Sequence, residues 1–353
     1  MNYSKNNKIK NRLLYALSVL VLSSFIYLIF VTKQAIPIES NENKFADDWA
    51  INNYGQTIKN SKGVHGIDIN IIPSWEKGLP SNQVVVAVID TGIDYFMDFL
   101  QDKIEVNQND PINGIDEDAN EYIDDYYGWN FYDNNNLIYE DALYDYHGTY
   151  IATTIIKVNP NARILPVKFL KSTLGTSEDA VLAIEYAISR GAKIINCSWN
   201  FSESDDDLYQ LIKNHPEILF VNSAGNANIN LDNDSIYPAS YDLNNIITVI
   251  AVDNKGTIYD SSGYGKNSVD IAAPGVDVKV VIPEGEETFI DGTSVATAFV
   301  SSASSILLSK DGSLAPKEIK EILVSNATII QELEPLCKAG GILNIEASLN
   351  AIK

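Results

Sequence analysis

An aspartate, a histidine and a serine, each beside a regular element, together carry the chemistry of acyl transfer. Asp90 follows an apolar run and begins Asp90-Thr91-Gly92. His147, one of three histidines, opens His147-Gly148-Thr149 ahead of the apolar segment Tyr150 to Ile156. Ser294 lies in Gly292-Thr293-Ser294, directly before a second such segment, Val295 to Leu308. A serine at a helix start benefits from free backbone N–H groups and from the positive end of the helix. Asn226, in Ser223-Ala224-Gly225-Asn226, offers a side-chain N–H to a developing oxyanion. Singly, each residue has a plainer explanation: a turn aspartate, a surface histidine, a serine N-cap. Jointly they supply nucleophile, base, orienting acid and oxyanion donor, the set that acyl transfer requires. His65 and His215 sit in loop-like contexts, beside Gly66 and Pro216, and carry no role.

The elements that must position these groups are legible in the apolar pattern. Val84 to Ile89 is an uninterrupted apolar run, mostly β-branched, the signature of a parallel strand covered on both faces. Ala162–Leu170, Lys193–Ser198, Ile218–Ser223, Ile246–Val252 and Val269–Ala273 repeat it. Helical stretches alternate with them. Glu178–Arg190 has Ser177 as N-cap, acids in its first turn and Gly191 past its end. Pro316 opens Lys317–Ser325 as a first-turn proline. This alternation predicts an α/β fold with a mostly parallel central sheet flanked by helices. In such sheets functional groups gather at the carboxyl ends of strands, and Asp90 and Asn226 fall there.

Residues 107–146 break the pattern. Rich in Asp, Asn and Tyr, they read as a long surface excursion and not as a second domain. Within them Asp116, Asp118, Asn120 and Asp124 alternate oxygen ligands, with the Tyr122 carbonyl as a further one. Two readings stand: a structural calcium loop, or a solvated acidic loop. Glu121 occupies the place where an EF-hand loop needs Gly, and no acid fills the last ligand position. The metal ligands are therefore left unassigned.

The chain has 353 residues, 45% of them hydrophobic, and a formal net charge of −22. With no basic patch after Lys10, that charge argues against nucleic acid as a partner. Cys197 and Cys337 form no metal or redox motif; Cys197 reads as a buried small hydrophobe. At the N-terminus, Lys5, Lys8, Lys10 and Arg12 precede the uncharged stretch Leu13 to Val31. Such a basic flank stays in the cytoplasm, and the stretch is just long enough to span a bilayer. No clean cleavage site follows, because Lys33 spoils the one ending at Ala35. The reading is a cytoplasmic basic terminus over 1–12, a transmembrane anchor or signal segment over 13–31 and a polar linker over 32–43. One domain follows over 44–353. It is exported, held at the cell membrane, or secreted if the segment is cleaved.

The motifs resemble those of the subtilase family of serine proteases. The aspartate motif is Val86-Ala87-Val88-Ile89-Asp90-Thr91-Gly92, the histidine motif His147-Gly148-Thr149 and the serine motif Gly292-Thr293-Ser294-Val295-Ala296-Thr297. Tyr237-Pro238-Ala239 and Ala272-Ala273-Pro274-Gly275 are similar to family framework segments. The order Asp, His, Ser is the one subtilisins use, and belongs to the resemblance. The resemblance implies a three-layer subtilisin-like fold and a serine endopeptidase, expected to be monomeric and to need no cofactor for its chemistry. Ser294 would be the nucleophile, His147 the base, Asp90 its orienting acid, and Asn226 with the Ser294 N–H the oxyanion hole. An extended peptide substrate would pair with Ser198-Trp199-Asn200 and with 171–177. Ile236, before Tyr237-Pro238, would floor the primary specificity pocket.

Some positions depart from the family pattern. Tyr150 and Thr153 stand where a second His and a Gly are usual, and Asn200 where the substrate strand carries Gly. Val295 and Ala298 replace Met and Pro after the nucleophile. None removes a reacting group. The alternative they leave open is a weak or inactive member that only binds. An α/β-hydrolase would need Gly-x-Ser-x-Gly and a His after the serine, and this chain has neither.

Overall fold

The apolar runs assemble into one large sheet. The computed structural model describes residues 45–352. The strands that matter here are β1 (Val85–Asp90), β2 (Trp129–Asn130), β3 (Arg163–Lys168), β4 (Ile194–Cys197), β5 (Leu219–Ser223), β6 (Ile246–Val252) and β7 (Ile271–Pro274). A hairpin, β8 (Val278–Val281) and β9 (Glu287–Ile290), follows, and β10 (Thr328–Ile329) and β11 (Gly341–Ile342) close the series. The nine-stranded sheet has the order β10-β11-β7-β6-β5-β4-β1-β3-β2. Its pairings are parallel except β10 with β11. From β1 the chain passes to β3 on one side and β4 on the other. That reversal opens a crevice beyond the strand ends, the usual ligand site of such sheets.

Side chains along β1 alternate between two cores. Val86 and Val88 pack on one face with helices α1 (Tyr146–Val158) and α4 (Thr293–Lys310). Ala87 and Ile89 pack on the other with α2 (Ser177–Ser189) and α3 (Asp206–Asn214). The architecture is a three-layer α/β fold. Two further helices, α5 (Pro316–Ser325) and α6 (Ile345–Ala351), follow toward the C-terminus.

Helix α4 is buried from Thr293 to Ser309. A helix with no solvent face must satisfy its hydroxyls internally. Ser301 donates to Asn196 Oδ1 at 2.9 Å and Ser302 to the Ile155 carbonyl at 3.1 Å. Asn159 Nδ2 donates to Ser305 Oγ at 2.8 Å. These small polar side chains let α1 and α4 approach closely while bonding them together. Ala298 leaves the helix uninterrupted where proline would cost a backbone bond.

Two expectations need amendment. The cap of α2 is Thr176, whose hydroxyl accepts from the Asp179 N–H at 3.1 Å; Ser177 turns away to donate to Asp205 at 2.6 Å. The excursion over 107–146 contributes β2 to the sheet edge and turns Asp110, Asp125 and Asn130 inward. Its carboxylates bond to its own amides. Asp116 accepts from the Asn120 and Glu121 N–H groups, and Asp124 from those of Asn113 and Gly114. Among the described residues no three His, Cys, Asp or Glu side chains converge as a cation site. Cys197 and Cys337 are both free and buried. The stretch Leu13 to Val31 lies outside the described residues; among those described, no helix is long and apolar enough to cross a membrane.

Candidate active site

The end of β1 sets the first group. Asp90 is fully buried, and its Oδ1 accepts the Thr91 N–H at 2.7 Å. The same oxygen lies 2.7 Å from His147 Nδ1. His147 is in the first turn of α1, and two glycines allow that turn to close on the β1 loop. A Cβ at Gly148 would fall 2.3 Å from the Gly92 carbonyl, and one at Gly92 2.5 Å from the Ile138 carbonyl. The Gly148 N–H also donates to Thr91 Oγ1 at 3.1 Å. The imidazole is thus held through Nδ1 by a buried carboxylate, which selects the tautomer with Nε2 free to accept a proton.

Below α1 a buried cation anchors the same turn. Lys168, fully buried at the end of β3, donates to Asp145 Oδ1 at 2.8 Å and to Glu140 at 2.6 Å. Asp145, equally buried, also accepts the Glu140 N–H at 2.7 Å. It immediately precedes α1, so this cluster fixes where His147 begins.

Ser294 sits in the first turn of α4 and is 6% exposed. A relay of bonds ties that turn to the end of β4. Asn196 Nδ2 donates to Ser198 Oγ at 2.9 Å, and Ser198 Oγ donates to the Ser294 carbonyl at 3.1 Å. The Ser294 hydroxyl donates to the Ser198 carbonyl at 3.2 Å. Asn226 accepts through Oδ1 from the Thr293 N–H and from Thr293 Oγ1, both at 3.0 Å. Fixing Oδ1 in this way fixes the amide, so Nδ2 is the end turned away, as an oxyanion donor must be.

These groups border a cleft of about 490 Å³ that His147, Asn226 and Ser294 line. One wall carries Leu170, Ser172 and Gly175, the other Ser198, Trp199 and Asn200. Trp199 is a support: its buried indole N–H donates to the Ile89 carbonyl at 2.8 Å and its ring meets Phe169 edge-on. Asn200 turns its amide to Ser223 Oγ at 3.0 Å. Ile236 closes the floor under Gly225.

Comparisons with known proteins speak to the family and the fold. The model of the subtilase family of peptidases matches residues 81–344. The chain belongs to the subtilase family. It is 28% identical over 327 residues to subtilisin-like protease 1 of Plasmodium falciparum, covering 82% of this chain and 47% of that protein. It is 29% identical over 302 residues to the cell wall-associated protease of Bacillus subtilis, covering 82% of this chain and 30% of that one. The subtilase chain thus spans less than half the length of these two relatives. Among solved structures, a lanthipeptide protease superposes with a TM-score of 0.63 at 22% identity, covering 80% of this chain and 90% of that one. A subtilase cytotoxin superposes at 0.62 and 23%, covering 80% and 93%. At those identities the likeness speaks for the fold.

The departures from the family pattern now have surroundings. Thr153 donates to the Val281 carbonyl at 2.7 Å, tying α1 to the β8–β9 hairpin. Val295 and Ala298 are fully buried in α4. Tyr150 lies against His147, its ring centroid 4.9 Å from the imidazole. Sequence reasoning missed Lys168, Asp145 and Glu140, because no motif links residues this far apart.

Proposed function

We propose that this chain is a serine endopeptidase acting on exported or extracellular peptide chains through an acyl-enzyme. The observation that carries the reading is the Asp90–His147 contact at 2.7 Å in a cleft that Ser294 lines. Ser294 Oγ attacks the scissile carbonyl carbon as His147 Nε2 takes its proton. Asp90 stabilises the imidazolium. The Asn226 amide and the Ser294 N–H receive the oxyanion. The imidazolium then protonates the leaving amine. Water attacks the acyl carbon as the same nitrogen takes its proton; the acyl–Oγ bond breaks, the imidazolium returns that proton to Ser294 Oγ, and the acid leaves. Every reacting group belongs to the chain, so the written steps call for no cofactor.

The two walls of the cleft suit an extended substrate strand, with main-chain bonds for affinity and pockets for selectivity. Export is supported by the basic flank and apolar stretch of the N-terminus, Lys5 to Val31. That stretch would tether the enzyme to the membrane, or release it if cleaved. The test is peptide hydrolysis by the Ser294→Ala variant. Loss of a nucleophile in such a unit lowers kcat on the order of a million-fold. A variant that folds and retains wild-type turnover would end the proposal.

A further inference from the structure

The cleft keeps charge out. The chain has 47 acidic residues, yet among the described residues that line the cleft none is Asp, Glu, Lys or Arg. Beside His147 the lining is apolar and open. Tyr146 precedes it and sets its ring 6.4 Å from the imidazole, edge-on. Leu170 also lines the cleft, its N–H anchored on the Asp90 carbonyl at 3.3 Å. Two short turns carry this lining outward. In one, the Tyr144 and Asp145 N–H groups donate to the Asp141 carbonyl at 3.2 and 2.9 Å. In the other, Lys171 and Leu174 exchange backbone bonds at 2.9 and 3.1 Å around Ser172, whose φ is 59°. Lys171 joins the turns by setting its ammonium 5.7 Å from the centre of the Tyr144 ring. At their tips Leu143 is 70% exposed and Leu174 62%. Single exposed leucines are ordinary. Two of them beside the exposed Tyr144 and Tyr146, at the mouth of one cleft, mark a contact surface.

We propose that Tyr144, Tyr146 and Leu170 form a seat for an apolar substrate side chain two residues before the cleaved bond, and that this seat selects uncharged peptide segments. The inference rests on the serine endopeptidase reading above. The register follows from strand geometry. Successive side chains of an extended peptide point to opposite faces. The side chain before the cleaved bond goes to the Ile236 floor, so the preceding one turns toward His147 and the seat. An aliphatic group there takes its own apolar surface and that of the tyrosine rings out of water, which is favourable in proportion to the area covered. A carboxylate or ammonium loses hydration in the same place and meets no opposite charge in the lining. Lys171 does not supply one to a carboxylate. Its ammonium faces the Tyr144 ring, with Glu140 at 3.8 Å and Asp133 at 3.9 Å already beside it.

The test is competition between peptides that differ only at that position, with Leu, Ala, Asp or Lys there. They are built on a sequence that wild type cleaves in a peptide library, and the products are followed by mass spectrometry. The proteins are wild type, Tyr144→Ser and Leu170→Ala. Each ratio of kcat/KM is internal to one protein, so a general loss of turnover cancels, and either variant serves if the other fails to fold. The seat predicts that wild type favours Leu over Ala by roughly tenfold, the order that burying a small apolar group is worth in an enzyme pocket. The Asp and Lys peptides are cleaved least, and the variants bring the Leu-to-Ala ratio toward one. Equal rates for Leu and Ala in wild type, a preference for Asp or Lys, or an unchanged ratio in a folded variant overturns the proposal. Folded wild type that cleaves no library peptide removes the peptidase reading and the seat together. Cleavage without discrimination at this position removes the seat alone.

Discussion

Ile236 reaches under the cleft far enough that a Cβ on Gly225 would fall 2.7 Å from its Cδ1. Asn200, where the family carries glycine, adds an amide against Ser223 on the same side. A β-branched floor is stiff, and forcing a large ring into a filled site costs about 1–3 kcal/mol. A peptide library should therefore show small and medium residues favoured before the cleaved bond and Phe or Tyr disfavoured. Ile236→Gly should raise relative cleavage after Phe by about tenfold. A wild-type preference for large aromatics would contradict this account of the pocket. At this scale the residues proposed to react were legible in the sequence, because each sits in a short motif whose neighbours constrain the backbone. Tyr150 was legible only as a departure.

Helix α1 carries His147, and its start is held by an ion cluster whose central pair is shut off from water. Lys168 and Asp145 are both fully buried. Removing one partner of such a pair leaves an uncompensated charge and typically costs about 3–5 kcal/mol. Lys168→Met should lower stability by that order in denaturant unfolding, and Lys168→Met with Asp145→Asn should recover part of the loss. A single variant as stable as wild type would show that the cluster does not anchor the helix. The elements themselves were largely readable, since buried parallel strands appear as continuous apolar runs and β6 matches its run end to end. The excursion over 107–146 was not. Asp125 meets Arg190 at 3.1 Å and Tyr186 at 2.7 Å, contacts that span more than sixty residues. In sequence it is one acid among many, so the loop read as either solvated or cation-binding.

Across the whole molecule, early and late segments of the described fold are joined at Glu346. Its carboxylate pairs with Lys77 and accepts from Ser74 Oγ at 2.5 Å. Those partners, Lys77 first, hold its pKa at about 2, below the ordinary 4.5. A depressed carboxylate contributes stability that is complete above the ordinary value and is lost as pH falls through the folded one. Thermal midpoints of Glu346→Gln should lie below wild type above pH 4.5 and converge with it as pH approaches 2. A constant difference across that range would show that this pairing does not govern the acid limb. The central claim is that Asp90, His147, Ser294 and Asn226 form one working peptidase site. The most direct measurement is peptide mapping after fluorophosphonate labelling of the wild-type protein, paired with hydrolysis of an extended peptide. The account predicts one adduct, on Ser294, that abolishes hydrolysis and is absent from Ser294→Ala. Hydrolysis that survives full modification of Ser294, or an inhibiting adduct on another residue, would contradict it.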